Sequence, residues 1–387
     1  MRIPKQMIFE QSEYEGRIDQ LQQKMSTAKL DAVLLFSCAN VYYLSGMDSE
    51  NQFDYQCLVV PSSGDPVLVL LDFELGRYEN SSWIQQVEVY GAFDDPIKAT
   101  LSVVNKLAGS SGRIGIEMRS RELTSDICER LISGLSTATI VDSFGLVESC
   151  RIVKSAAEIA YMKSAARLTD LGIEAGYATI RAGTADNDVA AAIVGTMYRN
   201  GSSSICWGPI VAAGYRAGTA HSTFNGYRLK AGDAVFLETT GQAQRYVSPL
   251  MRTAYLGKPP DAVRRVEGGV SAALSTILKE ARDGVRAADV ARAALTRLEP
   301  VLEGIIFHNN FGYPVGIGYA PSWIERLGFF MKVDNERVLK SGMTFHLPMS
   351  LRKYGEYAVN LSHTILVCQG DSVPLGSSPA ALQIIEA

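Results

Sequence analysis

The 387-residue chain is poor in the residues on which much chemistry is built, with four histidines, three tryptophans and six cysteines. Cys38, Cys57, Cys128, Cys150, Cys206 and Cys368 stand singly, without the close pairs that zinc sites and redox motifs use, so they read as reduced and mostly buried thiols. Lysine and arginine are scattered, and a formal net charge of −4 leaves no basic field for a phosphate backbone. Nucleic acid is therefore not an expected partner. No run of about 18 apolar residues offers a membrane span, and the opening Met1-Arg2-Ile3-Pro4-Lys5-Gln6 lacks the apolar core of a signal peptide. A cytoplasmic location with no membrane partner is the expectation. What remains, 47% hydrophobic and 20% charged residues, is an ordinary globular composition, long enough for two domains or one large one.

The first 150 residues alternate helical and extended patterns. A charged amphipathic stretch over about 11–28 precedes the apolar runs Ala32 to Phe36, Cys57 to Val60 and Pro66 to Leu71, which predicts an α/β domain. The polar stretch Met47 to Gln56 reads equally as an exposed binding loop or a plain solvated connection. Lys154-Ser155-Ala156-Ala157-Glu158 then forms a capping-box pattern that opens a long helix through about Ile180. The domains are accordingly 1–150 and 151–387.

The second domain repeats itself. Gly183 is followed by Asp188-Val189-Ala190, and Gly284 by Asp289-Val290-Ala291 in the same spacing; Gly232 to Leu237 and Gly342 to Leu347 share a turn glycine, an apolar strand and a final leucine. These matches run in order at offsets of 101 and 110 residues, which predicts a duplicated helix-helix-strand unit with its cleft on a pseudo-twofold axis. Glu238 and Pro348 become symmetry mates.

All four histidines (His221, His308, His346, His363) lie in this domain, near apolar runs. The run Ala234 to Leu237 leads straight into Glu238, where a strand would ordinarily carry another aliphatic residue. A buried unpaired carboxylate costs several kcal/mol or shifts its pKa upward. Glu238 is thus either a nucleophile or base, or the salt-bridge partner of Arg252 on a neighbouring strand, if 234–240 and 246–256 form a hairpin. His221 suits proton transfer, or is a surface histidine in a loop. His363 alternates with Leu361 and Ile365, which suits a site or a core position. His346 divides between packing and substrate contact, and His308 reads as structural. Glu325 either grips a substrate cation or is simply solvated.

Several segments resemble the pita-bread fold of creatinase, prolidase, aminopeptidase P and methionine aminopeptidase, in the form that carries an N-terminal creatinase-type domain. They are Gly232-Asp233, Ser248-Pro249-Leu250-Met251-Arg252-Thr253, Gly312 to Tyr319, and Val338 to Met343. Within that superfamily the chain is similar to ectoine hydrolase and its relatives, through Glu238-Thr239-Thr240-Gly241, Arg245-Tyr246, Ser248-Pro249-Leu250 and the run Gly316 to Trp323 ending in Glu325. The resemblance implies an α/β N-terminal domain and an α+β pita-bread domain with an internal pseudo-twofold repeat. It places the five metal-ligand positions of the peptidases at Glu238, Ser248, Tyr313, Pro348 and His363, of which only Glu238 and His363 ligate metal readily. The chain also departs from the metal-free relatives: ectoine hydrolases keep a histidine where it has Val247, and creatinase has glutamates where it has Met251 and Pro348.

The expectation that follows is a hydrolase without metal or other cofactor, cleaving a carbon-nitrogen bond of a small polar or zwitterionic compound. His221, Glu238, His363 and Tyr313 are the catalytic candidates; His346, Glu325, Tyr246, Arg252, Phe53 and Tyr55 are the substrate-binding ones. By resemblance, the chain forms a homodimer in which Phe53, Tyr55 and the acidic loop around them lie near the partner's active site. A lyase or cyclase using the same cleft, and a non-catalytic binding protein, are the alternatives.

Overall fold

Two pairs of glycines punctuate the second half of the chain, and they explain its architecture. In the computed structural model, which describes residues 5–325 and 328–386, Gly183 and Gly284 take φ of +86° and +83°, and Gly232 and Gly342 take +90° and +91°. Glycine occupies this left-handed region without the Cβ clash that hinders other residues. The hydrogen bonds around these turns are duplicated as well. Gly183 N–H donates to Leu229 O (2.8 Å) and Leu229 N–H to Thr184 O (2.9 Å), while Gly284 N–H donates to Leu339 O (2.9 Å) and Leu339 N–H to Val285 O (2.8 Å). The bridge Ala185–Arg228 likewise has its counterpart in Arg286–Val338. The turns at Gly183 and Gly284 each join two packed helices, Ala156–Thr179 with Asp186–Arg199 and Asp261–Glu280 with Ala287–Leu298. The repeat offsets seen in the amino-acid sequence are those of real, equivalent hydrogen bonds.

The chain divides into two compact units, Met1–Arg151 and Ile152–Ala387. In the first, a six-stranded mixed sheet runs in the order Gln86–Tyr90, Val67–Leu71, Cys57–Pro61, Ala32–Leu35, Arg113–Ile116, Thr139–Asp142. Its apolar runs are buried on both faces, which accounts for strands such as Val67–Leu71 with no polar alternation. Helix Gln11–Ala28 buries Tyr14, Ile18, Leu21 and Met25 at helical spacing.

In the second unit, Ser155 caps helix Ala156–Thr179 in a reciprocal capping box with Glu158. Strands Ile210–Ala213, Ala234–Thr239, Leu250–Leu256 and Gln383–Ile385 form one sheet. Strands Gln242–Ala243, Tyr246–Val247, Tyr313–Tyr319, Thr344–His346, Thr364–Leu366 and Val373–Pro374 form another, with Ser322–Ile324 paired to the third of them. Met349–Lys353 and Tyr357–Leu361 make a two-stranded ribbon. The expected hairpin over 234–256 does form between Ala234–Thr239 and Leu250–Leu256. Its tip, however, leaves that sheet: Gln242–Ala243 and Tyr246–Val247 pair with each other and join the second sheet through Tyr246 and Ile317. Gln244 and Arg245, both at positive φ, make the tight turn. A core of Phe236, Met251, Tyr255, Phe345, Leu347, Met349, Leu351 and the apolar faces of helices 261–280 and 287–298 fills the centre. Among the described residues no helix is long and apolar enough to cross a membrane.

Candidate functional site

Strand alternation decides where Glu238 points. Ala234 and Phe236 belong to the central core, whereas Val235 and Leu237 pack with Ile173, Val189 and Ile193 under the first helix pair. Glu238 therefore shares the face of Phe236. It sits at the end of that face, paired with Met251 on one side and Ile210 on the other. The residue is only 5% exposed, and no hydrogen bond or ion pair holds its carboxyl among the described residues. Burial pushes its pKa up to about 8, opposed by the Arg352 guanidinium, so the group is mostly protonated at neutral pH.

Arg252 does not reach Glu238. It stands opposite Leu237, on the other face of the sheet, fully buried, and donates to Met251 O and Ser362 O (both 2.7 Å) and to Ser378. The salt bridge that would have made Glu238 structural is thus ruled out by register. Leu250 packs on this helix side too, and Ser248 lines a recess there with Thr169, Asp170, His363, Gly376 and Ser378. Ser248 and His363 thus border this helix-side recess, and neither makes a hydrogen bond to Glu238. Burial, with Arg252 adding to it, lowers the His363 ring to about 4, so it is neutral at pH 7.

The sequence neighbour of His363, Ser362, takes part in a line of polar contacts. Tyr313 and His346 are directly paired across two strands. Trp323 Nε1–H donates to the Tyr313 hydroxyl (2.9 Å), which meets His346 Nδ1 at 2.6 Å; His346 Nε2 meets Ser362 Oγ at 2.8 Å; and Met251 N–H donates to that same Oγ (2.7 Å). Met251 is the residue paired with Glu238, so the line ends on the backbone opposite that residue. Burial pushes the His346 ring down to about 3, keeping it neutral. Burial first, and then the charge of Glu238, raises the Tyr313 phenol well above its ordinary range. A neutral imidazole has one N–H, and both hydroxyl oxygens already accept from N–H groups. If Nδ1 carries the proton, it donates to Tyr313, Ser362 donates to Nε2, and the Tyr313 hydrogen is free to act toward Glu238.

His221 lies in an exposed loop at φ +57° and stacks on Trp207 at 6.3 Å; Trp207 in turn meets Trp323 at 5.1 Å. An aromatic row so links His221 to Tyr313. The loop is pinned from behind by Asp186, which is fully buried, pairs with Arg216 and accepts from Gly226 N–H (2.9 Å). A Cβ at Gly218 would lie 2.8 Å from Lys353 O, so the loop packs directly on the ribbon that carries Arg352.

The other substrate-binding candidates are engaged elsewhere. Tyr246 is buried, donates to Glu158 (2.9 Å) and stacks on Tyr161. Glu325 is neither solvated nor open to a cation: it pairs with Lys154 at 2.7 Å, the two side chains being 4% and 1% exposed. Tyr55 packs into the core of the first unit with its hydroxyl on Thr100 (2.7 Å), while Phe53, also in that unit, is 95% exposed. His308 is exposed beside Phe307. Arg352, Ser362, Trp207 and Trp323 went unnoticed in the sequence. Trp323 alone carried a signal, lying in the run ending at Glu325.

Residues 160–369 match the metallopeptidase family M24, and residues 17–153 match the creatinase/prolidase N-terminal domain. The chain belongs to metallopeptidase family M24. Among its M24 relatives, an "uncharacterized hydrolase/peptidase" of Sinorhizobium fredii is 27% identical over 98% of both chains, and the ectoine hydrolase of Halomonas elongata is 25% identical over 97% of this chain and 98% of that one. The relatives point to a hydrolase of this family, on its ectoine hydrolase branch. The fold is that of the prolidase from Thermococcus sibiricus (TM-score 0.85, 19% identity, 96% of this chain and 99% of that one) and of a dipeptidase from Pyrococcus horikoshii (TM-score 0.83, 23% identity, 95% and 100%).

The family name implies metal, and the donors among the described residues do not fit it. Among the described residues no three His, Cys, Asp or Glu side chains stand close enough to hold an ion. The cross-strand neighbours of Glu238 are Met251 and Ile210, neither of them a carboxylate, and both nitrogens of His346 are committed to hydroxyls.

Proposed function

We propose that this M24 protein is a metal-independent hydrolase of a carbon-nitrogen bond in a small zwitterionic compound, such as a cyclic amidine or guanidino acid. The observation that carries the reading is Glu238, a buried carboxyl with no hydrogen-bond or ion-pair partner among the described residues, within electrostatic reach of the buried Tyr313 hydroxyl. In its ionised form Glu238 takes a proton from water, whose oxygen bonds to the electron-poor carbon. Tyr313, held by Trp323 and His346, donates a hydrogen bond to the tetrahedral centre. The carbon-nitrogen bond then breaks, and the leaving nitrogen takes a proton from Glu238 or through His221. His346 and Ser362 act behind Tyr313. The name of the Halomonas relative makes ectoine the first compound to try, and resemblance to creatinase makes creatine the second.

A homodimer completes the proposal. Its support is a row of exposed phenylalanines on the first unit: Phe53, Phe73 and Phe93, 95%, 78% and 104% exposed. Phe53 precedes strand Cys57–Pro61, Phe73 follows Val67–Leu71 and Phe93 follows Gln86–Tyr90; the pairings Cys57–Val69 and Leu71–Tyr90 put all three at one end of the sheet. The test of the reaction is incubation of ectoine and creatine with the protein in ¹⁸O-labelled water. Incorporation of one labelled oxygen per bond broken is expected; cleavage without label would mean a lyase.

A further inference from the structure

Two other buried acid-base pairs in this unit are closed: Lys154 meets Glu325 at 2.7 Å, and Arg216 meets Asp186 directly. Glu238 and Arg352 are not. Arg352 is the charged group acting on Glu238, and Glu238 is the first of those acting on Arg352, yet no contact within ion-pair distance joins them. The Arg352 side chain is half-buried on the ribbon Met349–Lys353; its Nε is occluded from solvent and has no hydrogen-bond partner among the described residues. Asn360 lies on the same face of the ribbon, since directly paired residues share a face and Ser350 pairs with Asn360 as Arg352 does with Ala358. Ser350 donates to Asn360 Oδ1, which orients the amide and leaves its buried Nδ2 without an acceptor.

An acid and a base held apart in a low-dielectric site bear the cost of burial, the acid by keeping its proton and the base as an uncompensated charge, without the attraction that would offset it. Such an arrangement makes physical sense when a ligand closes it. We propose that Arg352, with Asn360 beside it, binds the carboxylate of the substrate while Glu238 faces its scissile carbon. This rests on the hydrolase reading and narrows it: the substrate carries its carboxylate a short span from an amidine or guanidine carbon. Uncharged amides and simple cations lack the anion that Arg352 requires. A guanidinium is suited to this task because its planar fork matches both carboxylate oxygens.

The test is binding, measured by calorimetry, with two matched pairs of probes. Ectoine is compared with 2-methyl-1,4,5,6-tetrahydropyrimidine, the same ring without its carboxylate, and guanidinoacetate with its amide. The wild-type protein is expected to bind at least one carboxylate-bearing probe about tenfold or more tightly than its partner, the effect of one charge-assisted contact. Arg352→Met should erase that preference and leave the weaker probe within about twofold, again on the scale of that single contact. Arg352→Lys, which keeps the charge, should recover part of the preference and controls for folding. Absence of any carboxylate preference in the wild-type protein, including failure of all four probes to bind, overturns the assignment. So does a preference that survives Arg352→Met. Binding with the expected preference but without hydrolysis would instead reject the hydrolase reading and leave Arg352 as a carboxylate site.

Discussion

Replacing Glu238 with glutamine separates a functional carboxylate from a structural one, because the two readings predict opposite changes in stability. In the folded protein the carboxyl titrates at about 8 rather than at its ordinary 4.5, through burial. Below pH 4 both folded and unfolded chains hold the proton. As pH rises from about 4.5 to 8 the unfolded chain has released it and the folded chain has not, so wild-type stability falls through that window and levels off above it. At about 1.4 kcal/mol per unit, the penalty above pH 8 is roughly 5 kcal/mol at most. Glutamine has the same shape and no proton to lose. Relative to wild type, Glu238→Gln should therefore gain stability between pH 5 and pH 9, by an amount that corresponds to roughly 10 °C in the melting temperature of a domain this size. Any cost of burying the amide is the same at both pH values and drops out of the comparison. The assay is thermal or urea unfolding of both proteins at pH 5 and pH 9. Turnover should fall by about a thousandfold or more at every pH, as when a central acid-base group is lost. Parallel stability curves would refute the buried, unpartnered state of Glu238, and a variant with wild-type activity would remove it from the chemistry.

The same titration predicts that kcat/KM rises with pH and reaches its plateau near pH 8, since the ionised carboxylate is the active form; a profile that is flat or falling from pH 6 to 8 contradicts this. His346→Phe deprives the buried hydroxyls of Tyr313 and Ser362 of one partner each and should cost about 2–4 kcal/mol in urea unfolding. Lys154→Met alone should cost about 3–5 kcal/mol by leaving Glu325 charged and buried, with most of the loss recovered in Lys154→Met/Glu325→Leu; a Glu325→Leu effect on substrate affinity without loss of stability would restore Glu325 to the site. Replacing Phe53, Phe73 and Phe93 together with serine should shift the molar mass seen by light scattering from dimer to monomer, while thermal unfolding changes little.

Local features of this fold were legible in the sequence because they are made by neighbouring residues. The Ser155–Glu158 capping box, the turn glycines at 183, 232, 284 and 342, and Glu238 at the end of an apolar strand each announce themselves within a few positions. The partners of a site residue are different in kind, since they come from register and from contacts far along the chain. One residue of register separates Met251, on the face of Glu238, from Arg252 on the other, and it is Ser362 and not the adjacent His363 that bonds His346. Glu325 finds Lys154 across 171 positions, and Arg352 looks from sequence like any charged residue near a turn. The resemblance to the pita-bread fold gave the architecture of the second domain, but it pointed to His363 and Ser248 by motif where the hydrogen-bonded line from Tyr313 runs through Ser362 to Met251.

The most direct test of metal-independent hydrolysis is turnover of the zwitterion panel by protein stripped with a chelator, with metal content measured on the same sample by inductively coupled plasma mass spectrometry. Full activity at far less than one metal ion per chain is the predicted result. Activity that disappears on stripping and returns in proportion to the metal added back would contradict it.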